Sequence, residues 1–445
     1  MFRPTGFADL AGRRVGIFGY GVEGHAAARR LEGLARTLVV VDDAPGIGPD
    51  VLMTSAGGLD ALLGCDIVLK SPGIPRRRAD VLDLEHRGVT VTSALNLWLH
   101  DVDRARVVGI TGTKGKSTTT ALVSFFLHCL DEESQCLGNI GQPPYDPTLD
   151  TSTGWLVLEL SSFQCVDLEV APGIVVVTSL GADHLDWHGS LQAYRDDKLS
   201  LTRAFGEHLT LVPDDETMHA EADRLGGELH FVPADTTHLA APLGLMGAHS
   251  DSNVALALGA TARLTRRDAR EIRERVAARA HGFEPLPGRL SLVTTEVRHG
   301  TTVRYVDDGL ATSVLPAVAA LEVFADDPVA LIAGGFDRGV DYVPLAAAIA
   351  RRSAGTMVLT MGDAGARVAD ALARLRPDVP RRTVTSMREA VNEGRRYLRD
   401  GGVVLLSPGA PSFDRYRNWE ERSDDFVAAV REATQQWSLG GDSNS

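Results

Sequence analysis

Cysteine is scarce in this 445-residue chain: Cys65, Cys129, Cys136 and Cys165 are the only four, and no two form a C-x-x-C pair. So few thiols cannot staple a disulfide framework, and they read as packing residues of a protein kept in a reducing cytoplasm. Positive charge is in deficit too. Lys and Arg total 45 against 59 Asp and Glu, a net charge of -14, and the resulting field repels nucleic acid and anionic membrane surfaces alike. Any phosphate ligand must therefore be gripped locally. No apolar run approaches the roughly 20 residues that span a bilayer. The opening MFRPTGFADLAGRR carries basic residues but no apolar core of an export signal. The expectation is a cytoplasmic monomer with no nucleic-acid partner and no membrane insertion.

With 44% hydrophobic and 23% charged residues, the chain has material for several cores and a length suited to roughly two to four domains. From Arg14, RVGIFGYGVEGHAAARRL joins a short apolar run, a glycine turn and an Ala-rich helical stretch, and LVVVDDA adds a strand ending at Asp42 and Asp43. CDIVLKSPGIP and GVTVTSALNLWL continue the alternation, which predicts a small parallel α/β domain over 1–102 and a linker over His100–Arg106. A second block, 103–283, opens with VVGI, TGTKGKS and the helix TTTALVSFFLHCL. Its strands WLVLEL and GIVVVTSL run out into polar clusters, as expected where ligands bind beyond the carboxyl ends of parallel strands. A third α/β block, 284–437, opens with SLVTTEV and TVRYVDD, and the Gly- and Ser-rich tail 438–445 is expected to be disordered.

Gly112-Thr113-Lys114-Gly115-Lys116-Ser117, followed by Thr118, stands between a strand and a helix. There, backbone N–H groups and the positive helix end can cradle a triphosphate, Lys116 can reach its terminal phosphates, and Ser117 can offer a hydroxyl to Mg²⁺. Ile110 departs from the strict phosphate-loop pattern, which has glycine there. The bland alternative, a glycine turn that only caps a helix, does not explain why strand, G-K-S and helix coincide. Glu159 follows one apolar strand and His184 the next; singly they pass for a capping acid and a loop histidine, but downstream of a phosphate loop they suit a divalent cation. Gly19-Tyr20-Gly21-Val22-Glu23-Gly24 matches G-x-G-x-x-G with acids about twenty residues on, a pattern of NAD sites that serves any nucleotide diphosphate; beside an ATP loop, a UDP ligand fits better than a redox cofactor.

These residues resemble the Mur ligases, most closely the MurD family, across nearly the whole chain. TGTKGKST resembles their ATP loop, GNIGQP their muramoyl-contacting loop, LELSSFQ and DHLDWHGSLQAYRDDK their central signatures, and GGFDRGVD and LLSPGAPSFDRYRNWEERSDDF their C-terminal ones. The resemblance implies an N-terminal Rossmann-like UDP-binding domain, a central P-loop ATPase-like domain and a C-terminal Rossmann-like domain. It further implies a ligase that uses ATP and Mg²⁺ to join UDP-N-acetylmuramoyl-L-alanine and glutamate through an acyl phosphate. By the same resemblance Lys116, Glu159, His184 and a carbamylated Lys198 are catalytic, and Ser117, Glu159, His184 and Lys198 hold the metal. The nucleotide falls to Gly112, Thr113, Lys114, Gly115, Lys116, Ser117, Thr118, Asn253, Arg289 and Asp308. Val22, Glu23, Asp42, Asp43, Ser71, Asn139, Ser161 and Gln164 take the UDP-substrate, and Thr312, Arg338, Ser412 and Trp419 take glutamate.

Several positions depart from the usual MurD pattern. Lys114 replaces an asparagine, Ser250 the first asparagine of H-N-x-x-N, and Gly288 the histidine before Arg289; in the C-terminal block Gly309-Leu310 replace Ser-Lys, Arg338 a lysine and Trp419 a phenylalanine. Arginine presents a planar fork to a carboxylate where lysine presents a point charge. These exchanges fit a divergent branch that adds L-glutamate ahead of a separate epimerase; ordinary drift in a D-glutamate ligase is the alternative. A folylpolyglutamate synthase-like ligase and a non-catalytic nucleotide sensor are the rival classes. The G-x-G-x-x-G module opposes the first, and Lys116, Ser117, Glu159, His184 and Lys198 oppose the second.

Overall fold

The computed structural model describes residues 3–181, 183, 185–298 and 300–438. Short, wholly buried apolar runs such as Ile67–Lys70, Val107–Thr111, Ile174–Val177 and Val329–Gly334 form strands covered on both faces, as parallel strands flanked by helices require.

The first sheet contains β1 (Arg14–Phe18), β2 (Thr37–Asp42), β3 (Val51–Met53), β4 (Ile67–Lys70) and β5 (Thr90–Thr92), all parallel in the order β3-β2-β1-β4-β5. The second contains β6 (Val107–Thr111), β7 (Ser134–Gly138), β8 (Trp155–Glu159), β9 (Ile174–Val177), β10 (Leu209–Pro213) and β11 (Glu228–Val232), again parallel, in the order β11-β10-β9-β6-β8-β7. The third contains β12 (Ser291–Arg298), β13 (Thr301–Asp307), β14 (Val329–Gly334), β15 (Thr356–Met361), β16 (Arg381–Thr383) and β17 (Gly402–Leu406), ordered β12-β13-β17-β14-β15-β16. Only the edge pair β12–β13 is antiparallel; the other pairings there are parallel. In the second sheet the strand order reverses about β6, which places a ligand crevice beyond the carboxyl ends of β6, β8 and β9.

The chain divides into two compact units, Met1–Leu239 with His249–Ala280, and Ala240–Ala248 with His281–Ser445. The first unit holds two sheets because one apolar cluster runs through both, from Phe7, Val15 and Ile17 by way of Trp98 to Leu156, Leu158 and Val175. Residues 240–248 cluster with the second unit although they lie inside the central stretch of sequence. Of the expected linker His100–Arg106, His100 and Asp101 end the helix Ala94–Asp101, whose buried residues are 94–99, and Arg104–Arg106 form one 3-10 turn. At the other end the helix Trp419–Ser438 includes the first residue of the expected tail; 439–445 lie outside the described residues. No helix among the described residues is long and apolar enough to cross a membrane.

Candidate active site

The loop after β6 is held from three sides. Thr113 N–H donates to Ser179 O at 2.8 Å and Lys114 N–H to Ser179 Oγ at 2.8 Å, while Thr178 Oγ1 donates to Lys114 O at 2.5 Å. Gly112 has φ +144, and a Cβ there would stand 2.1 Å from Thr178 Oγ1, so only glycine lets the loop press against the end of β9. Asn253, buried in the helix Ala248–Thr265, receives the Thr119 hydroxyl at 3.3 Å and abuts Gly115. The loop then runs into the helix Lys116–Cys129, with Ser117 buried and Thr118 half-buried in its first turn. The seven residues expected to take the nucleotide, Gly112 to Thr118, thus form one turn leading into a helix N-terminus, with Asn253 beside it, a geometry that can accept an anion.

Two lysine amines meet on one carbonyl of this loop. Lys116 Nζ donates to Gly112 O at 2.8 Å and to Thr113 O at 3.3 Å; Lys198 Nζ, in the helix Leu191–Leu199, donates to the same Gly112 O at 2.9 Å. Burial, reinforced by the Lys116 charge, pulls the Lys198 ammonium down to about 7. A lysine that is substantially neutral near pH 7 is nucleophilic enough to take up CO₂ as a carbamate, which would turn a cation into an oxygen donor. Glu159, at the end of β8 and 2% exposed, accepts Asn139 Nδ2 at 2.8 Å through Oε1, while its buried Oε2 has no hydrogen-bond partner among the described residues. An orphaned carboxylate oxygen beside a phosphate cradle suits a hard divalent cation, and the donor set Ser117, Glu159 and Lys198 carbamate is all oxygen, as Mg²⁺ prefers. His184, expected as a further ligand, lies outside the described residues.

The residues expected to hold the UDP-substrate divide. Ser71 Oγ donates to Gly19 O at 2.6 Å, and Asp42 Oδ2 accepts Tyr20 N–H at 2.6 Å, so both brace the glycine turn that opens the helix Val22–Leu31. Val22 is exposed, and Asp43 pairs with Arg78 and accepts the Thr54 hydroxyl at 2.7 Å. Glu23 reaches the central segment instead: its carboxylate accepts Gln164 Nε2 at 2.6 Å and Tyr145 OH at 2.9 Å. Burial raises its pKa, and the two hydrogen bonds offset part of that. Ser161 and Gln164 close a reciprocal cap on the helix Ser162–Cys165. Tyr145 went unmarked in the sequence, where nothing beyond a lone aromatic pointed to it.

In the second unit, Asp308 and Thr312 follow β13, Arg338 follows β14, and Ser412 follows β17, so these expected residues leave one end of the third sheet. Asp308 accepts the Ser407 hydroxyl at 2.7 Å, and burial raises its carboxyl to about 7. Arg289 is half-buried and adds a favourable field at Asp308. Arg338 is exposed, its guanidinium 5.9 Å from the Phe413 ring centre, and the half-buried Trp419 packs over Gly288. Sequence reasoning passed over Asp307, Arg422 and Ser423. Arg422 is buried, donates to Ala410 O and Gly309 O at 3.0 Å each, and is lowered to about 10 by burial. Its place in the NWEERSDDF stretch was the available signal.

Comparison with known proteins follows the same lines. Residues 110–225 match the model of the Mur ligase middle domain. A Micromonospora protein named UDP-N-acetylmuramoyl-L-alanine--L-glutamate ligase is 38% identical, the match covering 96% of this chain and 98% of that one. A Symbiobacterium thermophilum protein named UDP-N-acetylmuramoylalanine--D-glutamate ligase is 32% identical over 85% of this chain and 87% of its own. Among solved structures, MurF ligase from Thermotoga maritima in complex with ADP superposes with a TM-score of 0.55 at 13% identity, over 97% of each chain, a likeness of fold alone.

Proposed function

Because this chain belongs to the Mur ligase family, whose members form amide bonds at the expense of ATP, we propose that it joins glutamate, with L-glutamate preferred, to UDP-N-acetylmuramoyl-L-alanine. The observation that carries this reading is the meeting of the Gly112–Ser117 cradle, Lys198 and the orphaned Glu159 oxygen at the carboxyl ends of β6 and β8. The L preference rests on the higher identity to the relative named for L-glutamate and on the exchanges at Gly309, Leu310, Arg338 and Trp419. Product of that configuration would require inversion by a separate epimerase. The cytoplasm suits a ligase fed by ATP and a UDP-linked precursor.

The substrate carboxylate attacks the γ-phosphorus of ATP, ADP departs, and the glutamate amine displaces phosphate from the resulting acyl phosphate. Magnesium, when bound by Ser117, Glu159, His184 and the Lys198 carbamate, would supply positive charge to the transferring phosphoryl group. Lys116 swings from the Gly112 and Thr113 carbonyls to the terminal phosphates, and the loop N–H groups hold the β-phosphate. Asn139 fixes one oxygen of Glu159, so that the other is aimed by geometry rather than by chance. Arg338, Thr312, Ser412 and Trp419 orient glutamate, the arginine fork selecting its carboxylate.

Purified protein given UDP-N-acetylmuramoyl-L-alanine, ATP, Mg²⁺ and each glutamate enantiomer should release phosphate mainly with the L form. Equal or greater turnover of D-glutamate would remove the isomer claim, and no amide product with either would remove the substrate claim.

A further inference from the structure

Three buried side chains beside the nucleotide site repeat the geometry of a hydrolytic triad. Ser162 Oγ lies 2.9 Å from His188 Nε2, and His188 Nδ1 lies 2.8 Å from Asp197 Oδ2. They are 3%, 4% and 2% exposed, and the His188 ring is walled in by Phe163, Trp187 and Tyr194 at centroid distances of 5.5, 4.4 and 5.1 Å. No acyl substrate can reach Ser162 Oγ, so nucleophilic catalysis is not its task. The sequence positions suggest another one. Ser162 lies three residues beyond Glu159, and Asp197 immediately precedes Lys198, so the Ser–His–Asp chain ties together the two segments that carry these expected metal ligands.

The chain also has an outer end. Arg77 grips Asp197 in a two-pronged pair, Nη1 to Oδ2 and Nη2 to Oδ1, each at 2.7 Å. Arg77 belongs to the loop after β4 that begins at Ser71, and the same loop receives Trp187 Nε1 on Gly73 O at 3.4 Å. With its carboxylate held by the arginine fork, Asp197 accepts the hydrogen bond of His188 Nδ1–H, leaving Nε2 to accept the Ser162 hydroxyl. We propose that Arg77, Asp197, His188 and Ser162 form a positioning relay through which the Ser71 loop of the first sheet fixes Lys198 and Glu159 against the nucleotide cradle. The relay rests on the ligase reading above, since it presumes that Ser71 meets the UDP-substrate and that Lys198 and Glu159 meet the metal. It ties the loop that holds the carboxyl donor to the groups that activate that carboxyl.

Arg77 is the clean test, because its side chain is 56% exposed and its loss leaves no cavity. Binding of Mn²⁺ in the presence of a non-hydrolysable ATP analogue, followed by electron paramagnetic resonance, reads the site without turnover. Arg77→Ala should weaken Mn²⁺ binding about tenfold, as loss of a ligand-orienting partner does, and lower kcat by a similar factor while KM for glutamate holds. Arg77→Lys should fall between Arg77→Ala and the unsubstituted protein. Asp197→Asn should match Arg77→Ala, and the double substitution should be no worse than Asp197→Asn alone. Unchanged Mn²⁺ affinity in Arg77→Ala, or additive losses in the double variant, would overturn the relay. If the unsubstituted protein binds Mn²⁺ and the analogue yet forms no glutamyl product, the ligase reading fails separately.

Discussion

The hydroxyl of Ser423 occupies the space that a side chain on residue 309 would need. A Cβ built on Gly309 would stand 2.1 Å from Ser423 Oγ, although the backbone of Gly309 is not in the left-handed region. Space alone, not conformational freedom, demands the glycine. Ser423 Oγ donates to Asp307 Oδ1 at 3.1 Å, the atom that also accepts Gly309 N–H at 2.8 Å. The MurD pattern that the sequence resembles has serine at position 309; here the hydroxyl at that corner comes from Ser423 on the helix Trp419–Ser438. Gly309→Ser alone should therefore overpack the corner and cost roughly 1–3 kcal/mol. Adding Ser423→Gly should return most of it. Urea unfolding of the four proteins decides the matter, and additive effects would mean that the two positions are independent.

A second coupling joins the two sheets of the first unit. Lys70 Nζ stands 2.7 Å from Asp167 Oδ2, with side chains 0% and 1% exposed. The well-aligned hydrogen bonds of Lys70 go elsewhere, to Ile74 O at 2.8 Å and Ser71 O at 3.2 Å, and the Asp167 oxygens have no hydrogen-bond partner of good geometry. The pair is Coulombic, and burial still raises the Asp167 carboxyl, opposed by Lys70. Lys70→Met leaves that carboxylate buried and unpaired, so it should lose about 3–5 kcal/mol. Lys70→Met/Asp167→Leu should recover most of the loss. A double variant as unstable as the single one would show that the pair is not what Lys70 contributes.

Those two couplings mark where sequence reading stopped. Glycine turns between apolar runs gave away every sheet, and the G-K-S loop and Glu159 were found because phosphate chemistry restricts residue type at fixed spacing from a strand end; Lys198, inside the helix Leu191–Leu199, was marked only by the family resemblance. Contacts across long sequence separations leave no such periodic trace. Gly309 with Ser423, and Gly288 with Trp419, whose ring would stand 2.5 Å from a Cβ at 288, read singly as departures from a family pattern. Space pairs them: a side chain of the last helix faces each glycine, Ser423 at 309 and Trp419 at 288. His188 and Asp197 lay within a stretch already singled out, yet only the fold shows that one carboxylate serves both His188 and Arg77.

Glu159 offers a test in which activity and stability move in opposite directions. Glu159→Gln keeps an oxygen for Asn139 but removes an anionic carboxylate whose second oxygen is buried without a partner. Phosphate release should drop on the order of 100-fold, the scale of losing one preorganised charge-stabilising group, and half-saturation should need more Mg²⁺. The melting temperature should hold or rise, because a buried carboxylate is costly and the nearby Lys198, itself lowered to about 7, offsets it only in part. Parallel losses of melting temperature and activity would make Glu159 a structural residue.

Asp308 contributes a pH dependence to the second unit. Its carboxyl is raised from 3.8 to about 7, first by burial and then by neighbouring Asp307, against the Ser407 hydroxyl bond. The folded state thus holds a proton that the unfolded chain releases near pH 4. The stabilising contribution is complete below that point, shrinks as pH rises, and is exhausted above about pH 7, where both states are ionised. Across this window the decline amounts to as much as about 4 kcal/mol. Asp308→Asn imitates the protonated form at every pH, so its advantage in melting temperature should be small at pH 5 and largest at pH 8. It should also lose affinity for ATP if Asp308 meets the nucleotide. A melting-temperature difference that stayed flat from pH 5 to pH 8 would mean that Asp308 is already ionised in the fold, with Arg289 and Ser407 compensating its burial.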